Sequence, residues 1–420
     1  MKCPRCKLEM EDGRCPACGY TPPQSSSSSD ASSWIMNVTI HSLTVVAVSA
    51  FLFLLLLNAA LTIWSIEIVL PETLLNSDYI YLVLILPIAI FEVSGYSLTA
   101  YYIFLLVSLL LSLVAIFYTG IPGLFSYFKE VLGGKFEKLK ENERLGSPFL
   151  RLVTIFTSLI FITYVYLIAL QVVGISPAGS GLDELPLWER IYSLTRAVVW
   201  EEIVVRVVFI GVPMAVFAAV KGREGLRGYL LGGFDFKSRL PVILILISSL
   251  MFAMAHVPGW DLYKIPTSFA AGLAFGYLFV KDGLHSAIML HFFWNFMSMP
   301  DMLLDIANYE FYFSLLIMFW MVVGVYYTYY YLKKLTTWVR EGPKKEKRGV
   351  AEEVVEEELV RETAGVTIGY VCPNCAFTKA LYTDEGTLKC KRCGTESDPK
   401  SEYAQGHTAT VSPDREWPPS

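Results

Sequence analysis

Three stretches of a largely apolar region carry side chains able to move protons: W-E-E-I-V-V-R at 200–206, F-A-M-A-H at 252–256 and H-F-F-W-N at 291–295. Glu202 and Arg206 are four residues apart, so a helix sets them one turn apart on one face, where they can pair. An unpaired Arg206 in lipid would be very costly, which makes that pairing close to obligatory. Glu201 sits about 100° round the helix from Glu202 and needs a different environment. A carboxylate desolvated in an apolar bundle holds its proton more strongly than one in water, and general acid–base chemistry near neutral pH uses that property. Phe252 and His256 share one helix face, as do His291 and Asn295.

A lone histidine on an apolar helix is more often a satisfied core residue than a catalyst. Two histidines, an asparagine and a glutamate pair on three separate helices weigh against that reading, and against an inert polar staple of Glu201, Glu202 and Arg206. Such a set can hold a water near Glu201 and offer His and Asn donors to a developing oxyanion. It can instead ligate a metal through Glu201, His256 and His291. The chain contains neither HExxH nor GxSxG, and cysteine chemistry is excluded from the apolar region, which has no cysteine.

All eight cysteines lie in polar tails. Cys3, Cys6, Cys15 and Cys18 read C-x2-C, eight residues, C-x2-C; Cys372, Cys375, Cys390 and Cys393 read C-x2-C, fourteen residues, C-x2-C. Two such knuckles supply the four thiolates of a tetrahedral zinc ion, and Gly19 and Gly394 after the last cysteines suit tight turns. Disulfides in an extracellular chain are the weaker alternative. Four thiolates leave no open position, so each zinc is expected to be structural and each tail cytoplasmic.

The elements that must position these groups follow from the apolar runs. Only 17% of the 420 residues are Asp, Glu, Lys or Arg, against about 25% in soluble domains. The deficit is confined to residues 34–332, where eight spans are expected near 34–57, 97–118, 149–173, 187–220, 240–257, 266–280, 284–299 and 311–332. The fold class is therefore all-α, a polytopic transmembrane helical bundle. These limits put His256 near the outer end of its helix and His291 near the middle of its own. Pro213 is expected to kink or shorten the fourth span. The short apolar run 79–91, interrupted by Pro87, reads as re-entrant or interfacial. Gly272 and Gly276 are spaced for close helix contact.

Lysines and arginines concentrate at 119–148, 221–239, Lys281 and the C-terminal tail, with Lys264 in the 258–265 loop as the exception. The positive-inside rule then puts both termini in the cytoplasm of a multi-pass cell-membrane protein, in agreement with the cysteines. No cleavable signal peptide is legible at the start of the chain. The expected domains are a zinc module at 1–20, a Ser-rich linker at 21–33, N-terminal membrane helices and a cytoplasmic loop at 34–148, the core at 149–333, a charged linker at 334–366, a zinc ribbon at 367–400 and a polar tail at 401–420. A net charge of −5 gives no reason to expect nucleic acid as a partner.

The ordered set E-E-x3-R, F-x3-H, H-x3-N on separate membrane helices resembles the CPBP family of intramembrane proteases, which includes the type II CAAX prenyl endopeptidases and bacteriocin-processing relatives. The resemblance covers about residues 150–333. It implies that Glu201 activates water for peptide hydrolysis and that Glu202 and Arg206 form a supporting pair. It further implies that His256 holds water or substrate and that His291 and Asn295 stabilise the oxyanion, with a metal-dependent and a metal-free route both open. A prenylated CAAX substrate is implied by the family alone. The implied partners are lipid, a peptide or protein substrate, and soluble proteins recruited by the zinc modules. Two other readings stand beside it: a membrane scaffold that keeps the cavity without turnover, and a transporter with a proton relay, which fits the buried ionisable groups but not the ordered motifs.

Overall fold

The computed structural model describes residues 28–83, 87–135, 146–177, 179, 181–222, 225–236, 238–304, 306–342, 374, 380–382, 387–390 and 393–397. The chain divides into two units, Met1–Gly342 and Pro343–Ser420.

In the first unit the long apolar runs become helices, and prolines and small polar residues set where they start. Ser147 caps α4 by accepting a hydrogen bond from the Leu150 amide, with Pro148 at the first helical position, where its missing N–H costs nothing. The order is α1 (Ser28–Trp64), α2 (Ile66–Leu75), a hairpin of β1 (Ser77–Val83) and β2 (Pro87–Ser94), α3 (Tyr96–Leu132), α4 (Pro148–Val172), α5 (Leu187–Val220), α6 (Leu226–Leu231), α7 (Leu240–Ala255), α8 (Lys264–Lys281), α9 (Leu284–Asn295), α10 (Met299–Leu304) and α11 (Tyr309–Glu341).

Among the described residues six helices are long and apolar enough to cross a membrane: Trp34–Trp64, Tyr96–Leu132, Pro148–Val172, Leu187–Val220, Leu240–Gly259 and Tyr309–Glu341. The chain is a multi-pass membrane protein. The other two expected spans form helices of a different kind. α9 has 12 residues, about 18 Å of rise against a hydrocarbon core of about 30 Å, and is buried along most of its length. α8 has 18 residues and packs into α7. An apolar run covered by protein reads in sequence like one covered by lipid, and that is why eight spans were expected.

The segment read as re-entrant or interfacial forms an antiparallel hairpin, with Ser77 opposite Ser94 and an irregularity between Ile80 and Tyr81. Its β-branched and aromatic residues favour strand over helix. α1 begins at Ser28, within the segment 21–33 read as a linker.

Aromatic rings fill the centre. Phe51 stacks on Phe293 at 3.7 Å, and Phe156 meets Phe293 and Trp320 edge-on at 4.8 and 5.0 Å. Small residues bring the surrounding helices close. A Cβ on Gly272 would lie 2.9 Å from the Ser249 Cα, and one on Gly324 would lie 2.2 Å from the Thr157 carbonyl, so α8 meets α7 and α11 meets α4 backbone to backbone. At one end of the bundle Arg151 of α4 makes a two-pronged pair with Asp282 in the α8–α9 turn, at 2.8 and 2.7 Å.

The second unit contains a three-stranded antiparallel sheet, β3 (Ala380–Tyr382), β4 (Leu388–Cys390) and β5 (Glu396–Ser397). Cys390 ends β4 and is buried; Cys393 is exposed in the turn that follows. That turn closes with the Gly394 amide on the Cys390 carbonyl at 2.9 Å, and Gly394 has φ +70, a left-handed conformation that glycine adopts without strain. Cys3, Cys6, Cys15, Cys18, Cys372 and Cys375 lie outside the described residues.

Candidate active site

α5 is not a uniform α-helix. From Ala197 to Glu201 and again from Ile203 to Gly211 it is wound as a π-helix, returning to α-helix at Val212, next to Pro213. The wider winding carries the glutamate pair, and such segments cluster at functional sites. Glu202 and Arg206 still meet, with Arg206 Nε donating to Glu202 Oε2 at 3.0 Å, both side chains fully buried. The other carboxylate oxygen, Oε1, lies 3.0 Å from Nδ1 of His291 on α9. Both Glu202 oxygens are therefore engaged.

Arg206 is held from three further directions. Its Nη1 donates to Ser248 Oγ on α7 at 2.7 Å, and that hydroxyl donates in turn to the Val205 carbonyl at 2.9 Å. The guanidinium faces the rings of Phe252 and Phe275, 5.3 and 5.8 Å from their centres. Nη2 is buried without a hydrogen-bond partner among the described residues. Phe275 on α8 also stacks on the His291 ring at 4.8 Å. Three helices thus enclose one ion pair, at the point where α7 and α8 cross closely on their small residues.

The histidines sit at helix ends. His256 caps α7, and its Nδ1 lies 2.7 Å from the Phe252 carbonyl. A carbonyl only accepts, so Nδ1 carries the proton and Nε2 of the neutral ring is an acceptor. His291 stands one turn from the end of α9, whose last residue is Asn295. α9 ends four residues earlier than expected, and His291 is therefore near a helix end, as His256 is. Phe252 joins them, its ring edge-on to His256 at 4.6 Å and to His291 at 6.1 Å.

Glu201 behaves unlike its neighbour. It is half-buried and makes no hydrogen bond or ion pair among the described residues. Its charge bears on Lys264, the first residue of α8. Burial pushes the Lys264 ammonium below the usual lysine range, and the Glu201 carboxylate opposes that shift. The Lys264 Nζ rests 3.6 Å from the centre of the Trp260 ring. Asn295 is half-buried at the end of α9.

Glu202, Arg206, Phe252 and His291 converge as the sequence suggests, and His256 joins them through Phe252. Glu201 and Asn295 are not bonded into that cluster. Glu201, His256 and His291 do not form a metal site: no three His, Cys, Asp or Glu side chains among the described residues come together to hold one ion. Ser248, Phe275 and Lys264 were not anticipated. Ser248 could have been found, since it lies four residues before Phe252 on the same face. Lys264 was visible only as the exception to the charge asymmetry.

Residues 183–297 match the family model described as type II CAAX prenyl endopeptidase Rce1-like. The matched segment holds all three motifs, from α5 to the end of α9, and so defines an Rce1-like domain within this membrane protein. No curated protein and no solved structure matches the chain.

Proposed function

We propose that the protein is an intramembrane endopeptidase in which Glu201 activates the attacking water. One observation carries this reading. Glu202 engages both oxygens with Arg206 and His291, while Glu201, one residue away, makes no hydrogen bond or ion pair among the described residues. The first carboxylate builds the site and the second is left to act in it.

In the proposed reaction Glu201 takes a proton from water as the water oxygen bonds to the scissile carbonyl carbon, and the carbonyl electron pair moves onto its oxygen. The Asn295 amide donates to that oxyanion; His291, its Nδ1–H held by Glu202, donates from Nε2 when both ring nitrogens carry protons. His256 Nε2 accepts a hydrogen bond from the water or substrate. Collapse breaks the C–N bond as Glu201 returns its proton to the leaving amine. We write the steps through Glu201 and water alone, since among the described residues no three His, Cys, Asp or Glu side chains come together to hold one ion. Glu202, Arg206, Ser248 and Phe252 position His291 and His256.

The orientation belongs to the same proposal: both termini in the cytoplasm, by the distribution of lysine and arginine. The paired C-x2-C spacings support a structural zinc in each tail, and the turn at Cys390 and Cys393 is compatible with one knuckle. Recruitment of soluble partners is the role we assign to these modules. The enzymatic reading is tested by incubating purified protein in detergent with a prenylated CAAX peptide and with an unlipidated membrane-spanning peptide. Cleavage of either by the wild type and of neither by Glu201→Ala supports it; equal cleavage by both proteins rejects it. No cleavage by the wild type leaves the scaffold reading.

A further inference from the structure

Glu201 ends the first π-wound stretch of α5, and Glu202 separates it from the second. Winding of this kind is rare beyond a single turn, so a stretch this long needs holding from outside. It also sets direction. Bonds that skip five residues instead of four put more chain into each turn, and a slip of one residue back to α-winding rotates everything after it by about 100°. Which way Glu201 faces therefore depends on what fixes the winding.

The second stretch is fixed from α7, where Ser248 accepts from Arg206 and donates to the Val205 carbonyl. The first is fixed from the hairpin. Tyr192 and Arg196, just before the winding changes, both hold Oδ2 of Asp78 on β1, the Tyr192 hydroxyl at 2.8 Å. The other Asp78 oxygen accepts from the Tyr79 amide at 2.8 Å. Trp200, inside the stretch, donates from Nε1 to the Tyr81 carbonyl at 2.6 Å. The Arg196 guanidinium also faces the rings of Tyr81 and Tyr192, 5.8 and 5.7 Å from their centres. Tyr192, Arg196 and Trp200 follow one another by about a turn. β1 is therefore fastened along one side of α5, from before the change of winding to the residue beside Glu201. The fastening has a base: β2 packs on α3, and Tyr101 of α3 meets the Trp200 ring edge-on at 5.9 Å.

We infer that the hairpin braces the candidate base, and that Trp200, Arg196 and Asp78 are positioning residues which hold the π-wound register of α5 and so aim Glu201. This rests on the endopeptidase reading and names what orients its carboxylate. The three residues act through the backbone that carries Glu201. Glu201 itself makes no hydrogen bond or ion pair among the described residues, so the direction of its side chain is set by that backbone.

The test uses the full chain in lipid nanodiscs, as wild type, Trp200→Phe, Asp78→Asn and the double variant. One readout is steady-state cleavage of the prenylated or membrane-spanning peptide. The other is carboxylate labelling by a water-soluble carbodiimide with glycine ethyl ester, mapped by mass spectrometry, with exposed Glu184 as internal control. The inference expects folded double variant to lose about tenfold or more in kcat with KM changed less than about twofold, as for a misplaced catalytic group. It expects Glu201 labelling to change by about threefold or more while Glu184 labelling stays level. Trp200→Phe alone decides the matter if the double variant does not fold. Turnover that falls only with the folded fraction, or Glu201 labelling unchanged in the variants, overturns the inference. Changed labelling without turnover by the wild type sinks the protease reading alone; turnover by the wild type with unchanged labelling sinks the brace alone.

Discussion

Two neighbouring carboxylates on one helix have opposite surroundings. Around Glu202 each charge is met: Arg206, His291 and Ser248 form one network walled by Phe252 and Phe275, with both ions fully buried. Glu201 is half-buried, and its charge acts on Lys264, which rests on the Trp260 ring. Burying an ion pair is rarely a net gain over apolar packing, yet removing one partner is severe. The Glu202 side is therefore a closed frame, whereas the Glu201 carboxylate makes no hydrogen bond or ion pair among the described residues.

The comparison predicts a graded series. The largest effect belongs to Glu202→Ala, which leaves Arg206 buried without its countercharge and should cost about 3–5 kcal/mol. Thermal unfolding in detergent reads it, and the double variant Glu202→Leu with Arg206→Met should recover much of the loss. Ser248→Ala comes next. It removes one acceptor from a buried guanidinium and should cost about 1–3 kcal/mol, with the folded protein retaining activity. Trp200→Phe keeps an aromatic ring but withdraws the hydrogen bond to Tyr81, for about 1 kcal/mol. Its signature is local: faster amide exchange at 77–83 with little change at α9. The smallest effect on the core is expected from Cys390→Ser with Cys393→Ser. Metal analysis should read one zinc fewer per chain, while unfolding of the membrane unit shifts by less than about 0.5 kcal/mol.

Much of the frame was legible before the structure. Glu202 and Arg206 announce themselves by spacing and by the cost of an unpaired arginine in an apolar helix. Gly272 and Gly276 announced a close helix contact by their spacing, and the structure makes α7 the partner. The rest escaped for specific reasons. Residues 79–91 form a short apolar run interrupted by Pro87, and period alone does not show that it forms strands. α9 was read four residues too long because Phe296–Met299 continue its hydrophobic character past the last helical turn. The π-helical winding of 197–211 leaves no mark in residue type. Lys264 looked like a stray cation in a loop, whereas it begins α8 and lies within reach of the Glu201 charge.

The division between frame and base is most directly tested by Glu201→Gln, compared with the wild type for both unfolding temperature and peptide cleavage. An amide at 201 disturbs no hydrogen bond or ion pair among the described residues, so the unfolding temperature should stay within a few degrees. An amide takes no proton from water, and loss of a general base lowers rates by about 10²–10⁴. Normal stability with cleavage reduced by that factor is the predicted result. Normal stability with wild-type cleavage, or a large loss of stability with cleavage falling only in proportion, would contradict the assignment of Glu201 as the base.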